Sequence, residues 1–153
     1  MAKLFLSLHV LAAVVAIGPV TAAASMFPKA LRRAQAAPDD PAPLATLRTL
    51  NRVCRVYAAA GLAVPAFGFT TASVLGVLGD AWLIVSIALT AAAAGVLALL
   101  ILPAQHGALA AAGTPAFHRV APARLAMLTG LFNVLWAAVT IVMIVRPGST
   151  TGV

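Results

Sequence analysis

One histidine, His9, stands alone in the first long apolar run of this 153-residue chain, and it is the residue best placed to do chemistry. A neutral imidazole inside a membrane span can bind a metal or a haem iron, or can hydrogen-bond a backbone carbonyl. A haem iron held there needs a second axial ligand from the same depth. Counting back from the end of the last apolar run puts the Met143 thioether in that layer, so His9 and Met143 form a candidate His/Met pair for haem b. Lys3 and Arg146 fall at the same surface and are candidate partners for the haem propionates. Trp82 and Asp80 share the layer, Trp82 reading as an interface anchor and Asp80 as the polar tip of a tight turn.

Intramembrane polar residues cost free energy, so each requires a reason. On the last run, Thr129, Asn133, Trp136, Thr140 and Met143 recur at spacings of four and three, which puts them on one helical face directed into a bundle. Asn133 is expected to pair with Thr70, Thr71 or Thr90, a helix-packing role that needs no chemistry. His106 and His118 lie roughly 30 Å from His9 by helix rise, too far to share a site, and read as interfacial loop residues. Cys54 is the only cysteine, and no Cys/His spacing suits a metal centre. With no glutamate and no nucleophile–base arrangement, no catalytic residue is assigned and an enzyme is not expected.

The elements that must carry these residues are membrane spans. With 63% hydrophobic and only 8% charged residues, and a mean hydropathy of +1.06, a water-soluble fold could not cover the apolar surface. The fold expected is all-α, a four-span up-down bundle with spans at about 4–26, 56–78, 81–102 and 123–145. Polar connections fall at about 27–55 and 103–122, the first with helical extensions at both ends. Gly18-Pro19 is expected to kink the first span, and Pro103 to end the third. The short turn at Gly79-Asp80 makes spans two and three an antiparallel hairpin. Arg146-Pro147-Gly148 stops the fourth, and the tail beyond reads as disordered.

The long connections, with Arg124 counted at the start of span four, hold eight of the ten basic residues, so both termini are expected to face away from the cytoplasm in a multi-pass protein of the bacterial inner membrane. A competing reading makes Lys3 to Ser25 a secretory signal; the basic cluster just beyond it and the length of the run oppose it. The net charge of +7 carries no nucleic-acid motif, so no nucleic acid is expected. Its counter-charge is anionic lipid headgroups, met by Arg32, Arg33, Arg48, Arg52 and Arg55. Small residues four apart, Ala12 with Ala16, Gly18 with Ala22 and Ala91 with Gly95, are candidate helix contacts.

The stretch Leu6-Ser7-Leu8-His9-Val10-Leu11-Ala12-Ala13 through Phe27-Pro28-Lys29 resembles the first helix of small bacterial membrane proteins related to CopD and HemJ. The closing Ile141-Val142-Met143-Ile144-Val145-Arg146-Pro147-Gly148 looks like the end of a group of predicted integral membrane proteins within that set. The resemblance implies a four-helix, haem-associated protein with His9 as haem ligand. The chain departs from HemJ-like oxidases in having no lysine or arginine in the interior of a span, Arg124 standing at the very start of the fourth, which argues against oxidation of a tetrapyrrole. It also has no Met- or His-rich cluster for copper handling. Two functions are carried forward: a b-type haem-binding or redox-associated membrane protein, and a non-catalytic accessory subunit of a larger membrane complex or homo-oligomer. A channel or transporter, which would call for buried carboxylates, ranks below both.

Overall fold

A computed structural model describes residues 1–148, most of which are helical. The expected tail beyond Gly148 lies outside the described residues. Helix α1 runs Ala2–Ala36, α2 Pro41–Ala60, α3 Ala63–Leu75, α4 Ala81–Gly95, α5 Leu102–Ala110 and α6 Pro122–Val145. No strand occurs among the described residues. Four helical rods, 3–36, 41–75, 81–110 and 122–145, are long and apolar enough to cross a bilayer. The protein is a multi-pass bundle of four transmembrane helices.

Each break in the rods has a local cause. Pro65 has no N–H to give the Gly61 carbonyl, and Val64 N–H takes that carbonyl instead at 3.0 Å, in the tighter i to i−3 pattern. The second rod is therefore α2 and α3 joined by one tightened turn. Gly76, in the left-handed region at φ 70°, closes α3 as only a residue without Cβ can at no cost. Asp40 starts α2 by accepting the Ala42 N–H at 2.9 Å, with Pro41 at the first helical position.

The extended connection from 27 to 55 is helical except at 37–40, because its apolar residues keep the helical period and α1 and α2 bury them against each other. Through Gly18-Pro19 the helix α1 is continuous. Pro103 does not end the third rod either. Ahead of it, Val96–Ile101 forms a π-helical segment, which takes up the missing N–H, and α5 continues to Ala110. One extra residue in a turn rotates the downstream helix by about 100°, so Gln105 points inward.

Packing divides the bundle into two ends. The basic end carries the 37–40 and 111–121 connections and most of the arginines; the terminal end carries Met1, the 76–80 turn and Arg146. A continuous core fills the basic end and runs to mid-bundle, with Phe27, Leu31, Leu47, Ile101 and Phe132 at its centre. Gln35 fastens the 111–121 connection onto α1 by donating to the Phe117 and Val120 carbonyls, both at 2.9 Å. At the terminal end the buried cluster shrinks to Ala72, Trp82 and Leu83.

Helix α1 packs on α2, α3 and α6, and α4 on α6. Helices α3 and α4, although joined by the tight turn, do not pack along their length. The hairpin expected from that turn is therefore splayed: the turn sets direction, but the apolar faces of α3 and α4 find α1 and α6 instead. Small residues do make the close contacts, though mostly not the expected pairs. Ala16, Ala23, Ala24, Ala30 and Ala34 are buried along one face of α1, whereas Gly18, Ala22 and Ala91 line a cleft.

Candidate functional site

The splaying of α3 from α4 opens a cleft at the terminal end, between α1, α3, α4 and α6, with a volume of about 1360 Å³. Its walls are mainly apolar, and the hydroxyls of Thr21, Ser25, Thr71, Thr90 and Thr140 are spaced along them. Most of these hydroxyls are spent within their own helices: Thr71 donates to Phe67 O at 2.7 Å, Thr90 to Ser86 O at 2.7 Å and Thr140 to Trp136 O at 3.0 Å.

His9 projects from α1 across to α3. Its Nδ1 lies 2.8 Å from the Val64 carbonyl oxygen. A carbonyl only accepts, so Nδ1 carries the proton, and in the neutral ring Nε2 keeps its lone pair. The ring lies against Gly68: a Cβ there would stand 3.0 Å from His9 Cε1 and 3.1 Å from Nδ1. Gly68 is thus a close-approach glycine whose missing side chain is the seat of the imidazole. Of the two fates open to His9 from sequence, the carbonyl bond is present. That same bond is what commonly orients a metal-ligating histidine, since it fixes the tautomer and leaves the other nitrogen free.

Met143 lines the same cleft, as does Arg146. The Arg146 guanidinium carbon sits 5.3 Å from the Trp82 ring centroid, a cation over an indole face. Trp82 in turn donates its indole N–H to Asp80 at 2.9 Å. Arg146 caps α6 in the left-handed conformation, φ 45°, unusual for a residue with a side chain and costing on the order of 1 kcal/mol. The structure therefore brings His9, Met143, Arg146 and Trp82 to one cavity. Lys3 is exposed on α1 and is not part of the cleft lining.

The polar face of α6 is divided between two settings. Thr129 is buried, donating to Leu125 O at 2.9 Å and reaching Ala24 O at 3.5 Å. Asn133 donates to Ser25 Oγ at 3.3 Å, while its own Oδ1 is buried with no partner. Trp136 and Thr140 face the cleft. The partner expected for Asn133 among Thr70, Thr71 and Thr90 is replaced by Ser25, because α6 packs on α1 and those threonines bond backward to their own helices. His106 and His118 are exposed at the basic end.

A second polar constellation is not evident from the sequence. Asn51 donates to Gln105 Oε1 at 3.1 Å, Gln105 Nε2 reaches Cys54 Sγ at 3.6 Å, and Cys54 Sγ lies 4.0 Å from the Val20 carbonyl. All three side chains are buried and tie α1, α2 and α5 together. Asn51 and Cys54 are three apart on one face of α2, a spacing that is legible; Gln105 falls where the sequence points to a loop, and this hides the pair. Each member has a partner, so the network is a clamp rather than a reactive centre.

Among the described residues no group of three or more His, Cys, Asp or Glu side chains could hold a metal ion. Compared with protein-family models, with curated proteins and with solved structures, the chain matches none.

Proposed function

We propose that this protein binds b-type haem in the terminal-end cleft, with His9 as axial ligand. The observation that supports the reading most directly is the His9 arrangement: Nδ1 held by the Val64 carbonyl at 2.8 Å, Nε2 free, and Gly68 giving the ring its place. The carbonyl bond makes the ring a better donor and holds its plane. Met143 offers a thioether in the same cavity, and the Arg146 guanidinium is placed to pair with the carboxylates of an amphiphilic macrocycle. The mainly apolar walls suit a flat hydrophobic ligand entering from lipid. Haem bound there supplies an iron that takes up and gives back one electron. The side chains bind, orient and exclude water; none is assigned a proton-transfer step.

Both termini then face the non-cytoplasmic side of a bacterial inner membrane, an orientation supported by the eight basic residues at the opposite end, seven in the connections and Arg124 at the start of the last span. A reporter inserted at Asp39 is expected to read cytoplasmic; an external signal there overturns the orientation.

The function is tested by purifying the chain in mild detergent from haem-replete cells. A Soret band is expected, lost in His9→Ala and altered in Met143→Leu. Colourless wild-type protein overturns the proposal, and colourless protein that co-purifies with other membrane subunits supports a non-catalytic accessory role instead.

A further inference from the structure

At the basic end, remote from His9, a second groove of about 780 Å³ runs between α2 and α5. Arg48, Arg52 and Arg55 edge it, with Thr49 and Asn51 beside them, Val56 and Ala59 below, and Leu109 of α5 closing its outer end. The three arginines stand four and three residues apart on α2, so one helical face presents three guanidinium groups over about 10 Å of rise. All three are exposed. The chain has only three acidic residues, Asp39, Asp40 and Asp80, and none of them lines the groove. Its charge is therefore uncompensated by the protein itself.

Position narrows the identity of the counter-anion. From Leu75, at the terminal end of the second rod, Arg55 is 20 residues away, about 30 Å of helix, which equals the thickness of the hydrocarbon layer. Arg55 thus stands at the edge of the hydrocarbon, with Arg52 and Arg48 one and two turns out among the headgroups. Val56 and Ala59 continue the groove toward the lipid chains. Guanidinium forks match phosphate oxygens in bidentate fashion, better than ammonium groups do. Arg32 and Arg33, on α1, are exposed as well but do not line this groove.

We propose that the α2–α5 groove is a binding site for one anionic glycerophospholipid, its phosphate held by Arg48, Arg52 and Arg55 and an acyl chain lying along Val56 and Ala59. This site differs from general attraction of a basic surface to a negative membrane, because it depends on which arginines are present and not on how many. It is also independent of any cofactor at the other end.

The test is lipid retention by the full chain in neutral detergent, read by native mass spectrometry against phosphatidylglycerol, cardiolipin and phosphatidylcholine. The anionic lipids are expected to be retained at least tenfold better than phosphatidylcholine. The triple variant R48Q/R52Q/R55Q is expected to lose that preference, while K29Q/R32Q/R33Q, with the same charge removed from α1, keeps it. Equal loss in both variants overturns the proposal in favour of diffuse charge attraction, and so does retention in both. Inorganic phosphate at millimolar concentration is expected not to displace the lipid; displacement overturns the lipid as occupant. Should the triple variant fail to fold, Arg52→Lys keeps the charge and removes the fork, and is expected to weaken retention several-fold; unchanged retention overturns the proposal.

Discussion

The basic and terminal ends of this bundle are made from the same four rods and nearly the same apolar residue types, yet one end is closed and the other open. At the basic end α1, α2, α5 and α6 meet around Phe27, Leu31, Leu47 and Phe132, and Asn51, Gln105 and Cys54 cross-link three helices. At the terminal end α3 leans on α1 and α4 on α6, and between the two pairs lies the cleft that holds His9 and Met143. In lipid, apolar surface alone gives helices no reason to associate, since lipid tails are as apolar as leucine. Closure requires interlocking shape and interhelical hydrogen bonds, and the basic end has both. At the cleft two such bonds span helices, from His9 to Val64 and from Asn133 to Ser25, and neither joins the α1–α3 pair to α4, so the cavity stays open.

The contrast can be tested by substitution, with stability concentrated at the closed end. Phe27→Ala removes a fully buried ring from the core and is expected to cost about 3 kcal/mol. Reversible unfolding in detergent checks this; a loss below about 1 kcal/mol would place the stabilising contacts elsewhere. Asn51→Leu leaves Gln105 Oε1 buried without its donor, at an expected cost of about 1.5 kcal/mol by the same measurement. Asn51→Leu combined with Gln105→Leu is expected to recover part of that loss, because no orphaned group then remains. Asp40→Ala removes the cap of α2 and is expected to cost about 1 kcal/mol.

At the open end His9→Ala is expected to change stability by only about 0.6 kcal/mol, the size of an average interhelical hydrogen bond in a membrane, even as it removes the Soret band. If His9→Ala instead unfolds the protein, His9 belongs to the packing and not to a ligand site. The smallest effect is expected of Gly68→Ala: its Cβ would press on the His9 ring, which must move by a few tenths of an ångström. A shift of the imidazole nitrogen resonances in a His-labelled sample reports that movement, and unchanged resonances would mean that the ring does not rest on Gly68.

Several features are legible in the sequence because they depend on local order alone. Four apolar runs separated by charge clusters imply four membrane rods, and the period of Thr129, Asn133, Trp136 and Thr140 implies one polar face on α6. Placing His9, Met143 and Arg146 in one layer requires only helix rise, and all three line the cleft. Lys3 falls outside it although it shares the helical face of Leu6, Val10 and Ile17, because the lining of the cleft on α1 begins one turn further in, at Leu6. Asn133 finds Ser25 rather than a threonine because the neighbour of a helix face is set by helix–helix packing. Gln105 reads as a loop residue because Pro103 reads as a helix end, and only the π-helical segment before it lets the helix run on.

Sequence by itself determined the solvent of this protein, the number of its spans and the residues on each helical face, because hydropathy and the helical period act along the chain. Tertiary structure alone decided that α3 and α4 part company, that Gly68 receives the His9 ring, and that Asn51 meets Gln105. Those depend on which small residues let which backbones approach, and in a chain so rich in alanine many approaches are sterically open while only the packed bundle selects among them.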